Sequence, residues 1–126
     1  MAKILVIDDE ELMRELVKKM LMRDGYEVFL ANDGVEGIET FFEISPDLVI
    51  TDIMMPLKDG FEVISEIYFH DSNFPVIAMS GGRRDYTDNF NFDLIENMGV
   101  KGFLKKPFKQ QNLLEIVKKT IDNNKD

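Results

Sequence analysis

Five short apolar runs punctuate the chain: Ile4-Leu5-Val6-Ile7, Val28-Phe29-Leu30-Ala31, Leu48-Val49-Ile50, Val76-Ile77-Ala78-Met79 and Gly102-Phe103-Leu104. Each is nearly continuous rather than alternating, the pattern expected of strands covered on both faces. After each run, apolar residues recur at helical spacing. The first stripe is Leu12, Leu16, Val17, Met20 and Leu21, and the second is Val35, Ile38, Phe41 and Phe42. Phe61, Ile64, Ile67 and Tyr68 make the third, Phe90, Leu94, Ile95 and Met98 the fourth, and Leu113, Leu114, Val117 and Ile121 the fifth. Gly25 and Gly99 follow two of these stretches as helix stops. Strand then helix, five times over, predicts an α/β fold in which a parallel sheet carries helices on both faces. No linker, low-complexity tract or internal repeat divides the sequence, so residues 1–126 are expected to form a single domain.

Composition narrows the chemistry. A chain of 126 residues can bury a core without disulfides or a structural metal. Cysteine is absent, which excludes disulfide scaffolds, thiolate zinc clusters and cysteine nucleophiles. No apolar run approaches membrane-span length, and the opening MAKILVIDDE places acids directly after its apolar run, unlike a signal peptide. A cytoplasmic location is expected, with no membrane association. The formal net charge is −9, and no basic patch with interleaved aromatics is present, so direct nucleic-acid binding is not expected. The single histidine, His70, has no histidine or cysteine co-ligand and is read as structural.

Open parallel sheets bind ligands beyond the carboxyl ends of their strands. Here the first strand runs into Asp8-Asp9-Glu10, the third into Thr51-Asp52, the fourth into Ser80-Gly81-Gly82 and the fifth into Lys105-Lys106-Pro107. Acids beside a buried strand repel one another in low dielectric, and a hard divalent cation such as Mg²⁺ relieves that repulsion. Helix capping is the competing reading: Asp8 or Asp9 could start the first helix, with Glu10 and Glu11 complementing its dipole. A carboxylate such as Asp52 can act as a nucleophile and form an aspartyl phosphate. Lys106 would supply a fixed cation for a phosphoryl oxygen, and strand alternation lets only one of Lys105 and Lys106 face the site. Ser80 could donate its hydroxyl, while Gly81-Gly82 keeps the backbone unobstructed.

Taken together, Ile7-Asp8-Asp9-Glu10, Asp52-Ile53-Met54-Met55-Pro56 with Asp59-Gly60, Ser80 and Lys105-Lys106-Pro107-Phe108 resemble the receiver domain of two-component response regulators, the CheY-like family. The resemblance spans essentially the whole chain. It implies a flavodoxin-like, doubly wound sheet of five parallel strands in the order 2-1-3-4-5 with five helices. It further implies that Asp52 is the phosphoacceptor. Mg²⁺ would be held by Asp9 directly, Asp8 through water, Asp52 and the backbone carbonyl of Met54. Ser80 and Lys106 take the positions of the switch hydroxyl and the site lysine, and Phe103 that of the switch aromatic. The Lys106–Pro107 peptide is expected to be cis.

The implied partners are a sensor histidine kinase or phosphotransfer protein upstream and a downstream protein or output domain on the helix 4–strand 5–helix 5 face. A phosphorylation-dependent homodimer is also admitted. Two other readings compete. One is a receiver-like binding module that works without phosphorylation, which typically lacks an acid, the lysine or the acceptor. The other is a Mg²⁺-dependent phosphohydrolase of the haloacid-dehalogenase type. That family places a second aspartate two positions after the nucleophile, where this chain has Met54, a residue that cannot move protons.

Two departures from the family pattern stand out. Ser80 and Lys106 lie 26 positions apart, a few more than usual, and the excess is assigned to a longer loop at residues 82–88. Met54 and Gly82 occupy positions that tune water attack in this family, and neither can orient a water through its side chain. Slow self-dephosphorylation is therefore expected.

Overall fold

In a computed structural model, the structure describes residues 1–81 and 88–124, apart from the side chains of 88–92. The expected loop at 82–88, including Gly82 and Tyr86, and the aromatic side chains of Phe90 and Phe92 thus lie outside the described residues, Asp88 excepted as the first backbone position of a helix.

Strands β1 (Lys3–Ile7), β2 (Glu27–Ala31), β3 (Leu48–Asp52), β4 (Val76–Ser80) and β5 (Gly102–Lys105) alternate with helices α1 (Glu11–Arg23), α2 (Gly34–Ile44), α3 (Gly60–His70), α4 (Asp88–Asn97) and α5 (Gln110–Asn123). The strands form one sheet in the order β2-β1-β3-β4-β5, every pair parallel, as the resemblance implied.

Side chains of a strand alternate between faces, and that alternation sorts the core into two clusters. Ile4, Val6, Leu48, Ile50, Ile77 and Met79 point to the side holding Val17 and Leu21 of α1 and Leu113 and Val117 of α5. Leu5, Ile7, Val49 and Ala78 point to the side holding Phe41 of α2, Val63, Ile64 and Ile67 of α3, and Ile95 of α4. Coverage on both faces is complete for β3 and β4, and for β1 after Lys3. The edge strands differ from the expectation: in β2 only Ala31 is buried and in β5 only Leu104, because each edge strand has a neighbour on one side alone.

Parts of the helical stripes also turn outward. Leu12 is 87% exposed and Leu16 46%, while Val17 and Leu21 are fully buried. A run with apolar residues at both 12, 16, 20 and 17, 21 offers two adjacent stripes, and only one can face the sheet. Val35, Phe42 and Leu94 are exposed for the same reason of rotation about their helix axes.

A cavity of about 720 Å³ opens at the amino ends of the strands beside Met1, Asp24, Tyr26 and Asp122. Among the described residues, five of the six buried polar side chains gather at the opposite end. Asp8, Thr51, Asp52, Ser80 and Lys106 all sit at or just past the carboxyl ends of strands.

Candidate functional site

Each residue of this carboxyl edge is placed by its own strand. Register sets Asp52 level with Met79, and Ser80 level with Lys105. Past β4, the chain turns through Gly81 at φ +115°, and the Ser80 carbonyl accepts the Lys106 N–H at 2.6 Å. A Cβ on Gly81 would stand 2.7 Å from the Lys106 carbonyl oxygen, so the glycine lets β4 and the Lys106 backbone approach. The Lys106–Pro107 peptide is cis.

After β3, Thr51 Oγ1 donates to the Asp52 carbonyl at 2.9 Å, and the Ile53 N–H donates to Asp52 Oδ1 at 2.9 Å. Gly60 closes this loop by donating to the Ile53 carbonyl at 2.8 Å, and a Cβ there would collide with the Asp52 carbonyl. Asp59 caps α3 by accepting from the Glu62 N–H.

The capping reading of the first acids gives way to a different arrangement. Glu10, not Asp8 or Asp9, is the N-cap residue of α1, and its side chain makes no cap hydrogen bond. Asp8 Oδ1 instead accepts the Glu10 N–H at 2.9 Å, a tight Asx-type turn. Arg14 reaches back from α1 and donates to the Asp8 carbonyl at 2.8 Å.

The side chains that remain converge on one ammonium. Lys106 Nζ lies 2.9 Å from Asp8 Oδ2, 3.2 Å from Glu10 Oε1 and 3.3 Å from Asp52 Oδ2. Carboxylate oxygens of Asp8, Glu10 and Asp52 all lie within 4.8 Å of one another. Three hard oxygen donors at that spacing fit Mg²⁺, which combines one or two carboxylates with waters. Asp9 stands beside this group with its Oδ1 shielded from solvent.

Burial dominates the electrostatics of Asp52. It pushes the carboxyl up from 3.8 to about 7, against the pull of the Lys106 ammonium and with the push of the Asp8 charge. For Lys106, burial alone would lower the ammonium, but Asp52, Asp8 and the hydrogen bonds to Asp8 and Glu10 hold it above its ordinary value. One cation facing three carboxylates leaves the site short of positive charge.

Of the residues expected from sequence, the structure brings Asp8, Asp52 and Lys106 into contact and buries Ser80 beside them on β4. Phe103 pairs in register with Ala78 and lies half-buried against the cluster that includes Ile95. Met54 is 37% exposed, two positions past Asp52. Sequence reasoning did not find the roles of Glu10 and Arg14 in this group. Glu10 carried a signal as the third acid of a run, whereas nothing in the spacing of Arg14 pointed to the Asp8 carbonyl.

The model of the response regulator receiver domain matches residues 4–118. The chemotaxis protein CheY of Bacillus subtilis (strain 168) is 36% identical over 122 residues, covering 95% of this chain and 98% of that protein. Response regulator RR06 of Streptococcus pneumoniae is 40% identical over 119 residues, and the chain spans only 52% of its length. A solved receiver domain protein from Clostridium thermocellum superposes with a TM-score of 0.89 at 35% identity, over 98% of this chain and 96% of that one. With the family model matched over residues 4–118 of the chain, the strands in the order β2-β1-β3-β4-β5 and the acid–lysine cluster at the strand ends, this chain belongs to the response regulator receiver domains of two-component signalling.

Proposed function

We propose that the chain is a phosphoryl-accepting switch in which Asp52 takes a phosphoryl group from a phosphohistidine of a sensor histidine kinase or phosphotransfer protein. The observation that carries this reading is the placement of Asp52: a buried carboxylate at the end of the central strand, 3.3 Å from the Lys106 ammonium and grouped with two further carboxylates.

Asp52 is held for attack by its neighbours. The Ile53 N–H fixes Oδ1, which orients the carboxylate plane and leaves Oδ2 turned toward Lys106. In the transfer, an Asp52 oxygen forms the new bond to phosphorus, and the bond from phosphorus to the donor imidazole nitrogen breaks with its electron pair. Lys106 neutralises charge on the phosphoryl oxygens. Mg²⁺, when bound, supplies further charge neutralisation on the same oxygens. Asp8, Asp9, Asp52 and the Met54 carbonyl are the expected holders.

Ser80 then moves toward the phosphoryl group and Phe103 turns into the space it leaves. Support comes from the burial of Ser80 and the half-buried setting of Phe103 one strand away. The α4–β5–α5 face would present the change to a downstream protein or output domain, or to a second copy of the chain.

The test is labelling by acetyl phosphate with Mg²⁺, read by intact mass. The parent chain should gain one phosphoryl group and Asp52→Asn none; full labelling of Asp52→Asn would sink the reading.

A further inference from the structure

A lysine ammonium carries three N–H donors and no acceptor. In Lys106 these donors face three carboxylates, Asp8, Glu10 and Asp52, all within 3.3 Å. A phosphoryl oxygen arriving on Asp52 therefore competes for the ammonium with carboxylates already in place. Asp52 becomes the carrier of the group. Asp8 is fully buried, and its other oxygen already accepts the Glu10 N–H, so it has no water to turn to. Glu10 differs: its side chain is 44% exposed. Its backbone is pinned independently, through its own N–H to Asp8 and through its carbonyl, which accepts the Arg14 N–H at 2.9 Å. The carboxylate can swing into solvent without moving the turn.

We propose that Glu10 is a latch on Lys106, holding the ammonium in the unphosphorylated chain and releasing it when a phosphoryl group arrives on Asp52. This rests on Asp52 being the acceptor. Glu10 is a positioning residue here, acting on the reaction through Lys106. Holding the ammonium stabilises the unmodified state, so the latch slows acceptance of the phosphoryl group. A half-exposed ion pair is worth no more than about fivefold in an equilibrium, which bounds the effect on the rate.

The experiment compares the full chain with Glu10→Gln and Glu10→Asp in acetyl phosphate labelling at saturating Mg²⁺, with Mg²⁺ affinity measured by calorimetry. Gln keeps the length and removes the charge; Asp keeps the charge and is too short to reach Nζ. Both variants should label about two- to fivefold faster than the parent, with Mg²⁺ affinity changed by less than about twofold. Faster labelling in Glu10→Gln with parent-like labelling in Glu10→Asp would assign the effect to local negative charge and overturn the latch. A loss of Mg²⁺ affinity of about tenfold or more would make Glu10 a metal ligand instead. Unchanged rates in both variants would overturn the latch and leave the acceptor reading intact. A parent chain that takes no label at all would remove both.

Discussion

Lys106 and Asp8 meet at 2.9 Å across 98 positions of sequence, and both side chains are buried. That contact ties the first strand to the last and gives Lys106 a structural role besides its proposed chemical one. Removing one partner of a buried pair leaves an uncompensated charge. Lys106→Met should therefore lower stability by about 3 kcal/mol at pH 8 in EDTA, and Mg²⁺ should restore part of the loss by binding the folded state. Urea unfolding with and without Mg²⁺ checks both parts, and a variant as stable as the parent in EDTA would count against the contact.

The raised carboxyl of Asp52 makes metal-free stability depend on pH. Below 3.8 the group is protonated whether the chain is folded or not, and it contributes no penalty. Between 3.8 and about 7 the folded state keeps a proton that the unfolded state has lost, so stability falls as pH rises through that window. Above about 7 the penalty is complete. Asp52→Asn should consequently exceed the parent by about 1–3 kcal/mol at pH 8 in EDTA. The difference should vanish near pH 4, as read from unfolding midpoints. A gap that widens toward low pH would contradict the burial account.

Gly81 and Gly25 both adopt positive φ, at +115° and +91°, but only Gly81 has a neighbour in the way. Alanine at Gly25 should carry the backbone cost alone, about 1 kcal/mol. Gly81→Ala adds the collision with the Lys106 carbonyl and should cost about 1–3 kcal/mol more. Equal losses in the two variants, measured by urea denaturation, would show that β4 and Lys106 do not approach this closely.

Met54 offers no hydrogen bond to a water near Asp52, and it is exposed enough to be exchanged without disturbing the core. Met54→Asn should shorten the lifetime of the phosphorylated chain by about tenfold, followed by mass after removal of acetyl phosphate. An unchanged lifetime would place control of hydrolysis elsewhere.

How much of this was legible beforehand differs from element to element. Strand positions and the strand-end motifs followed directly from the continuous apolar runs, because a buried central strand has little freedom in composition. Helix faces were less readable. Leu12 and Leu16 satisfy helical spacing as well as Val17 and Leu21 do, and only the position of the sheet decides between them. Within the site, Asp8, Asp52 and Lys106 were legible because each abuts a strand. The path of Glu10 was not, since a third acid after Asp8-Asp9 reads equally as a dipole partner for α1. Its turn back to Lys106 depends on a residue 96 positions away.

The two core clusters share no residue, although neighbours such as Ile4 and Leu5 belong to opposite ones. The sheet acts as a partition. Each side can drift in sequence on its own terms, with α1 and α5 adjusting together and α2, α3 and α4 adjusting separately. At the carboxyl edge that independence ends, since Asp8, Asp52 and Lys106 stand at the ends of three different strands and meet at a single point. Variation among descendants of this chain should thus be broad across either flank and narrow at that seam.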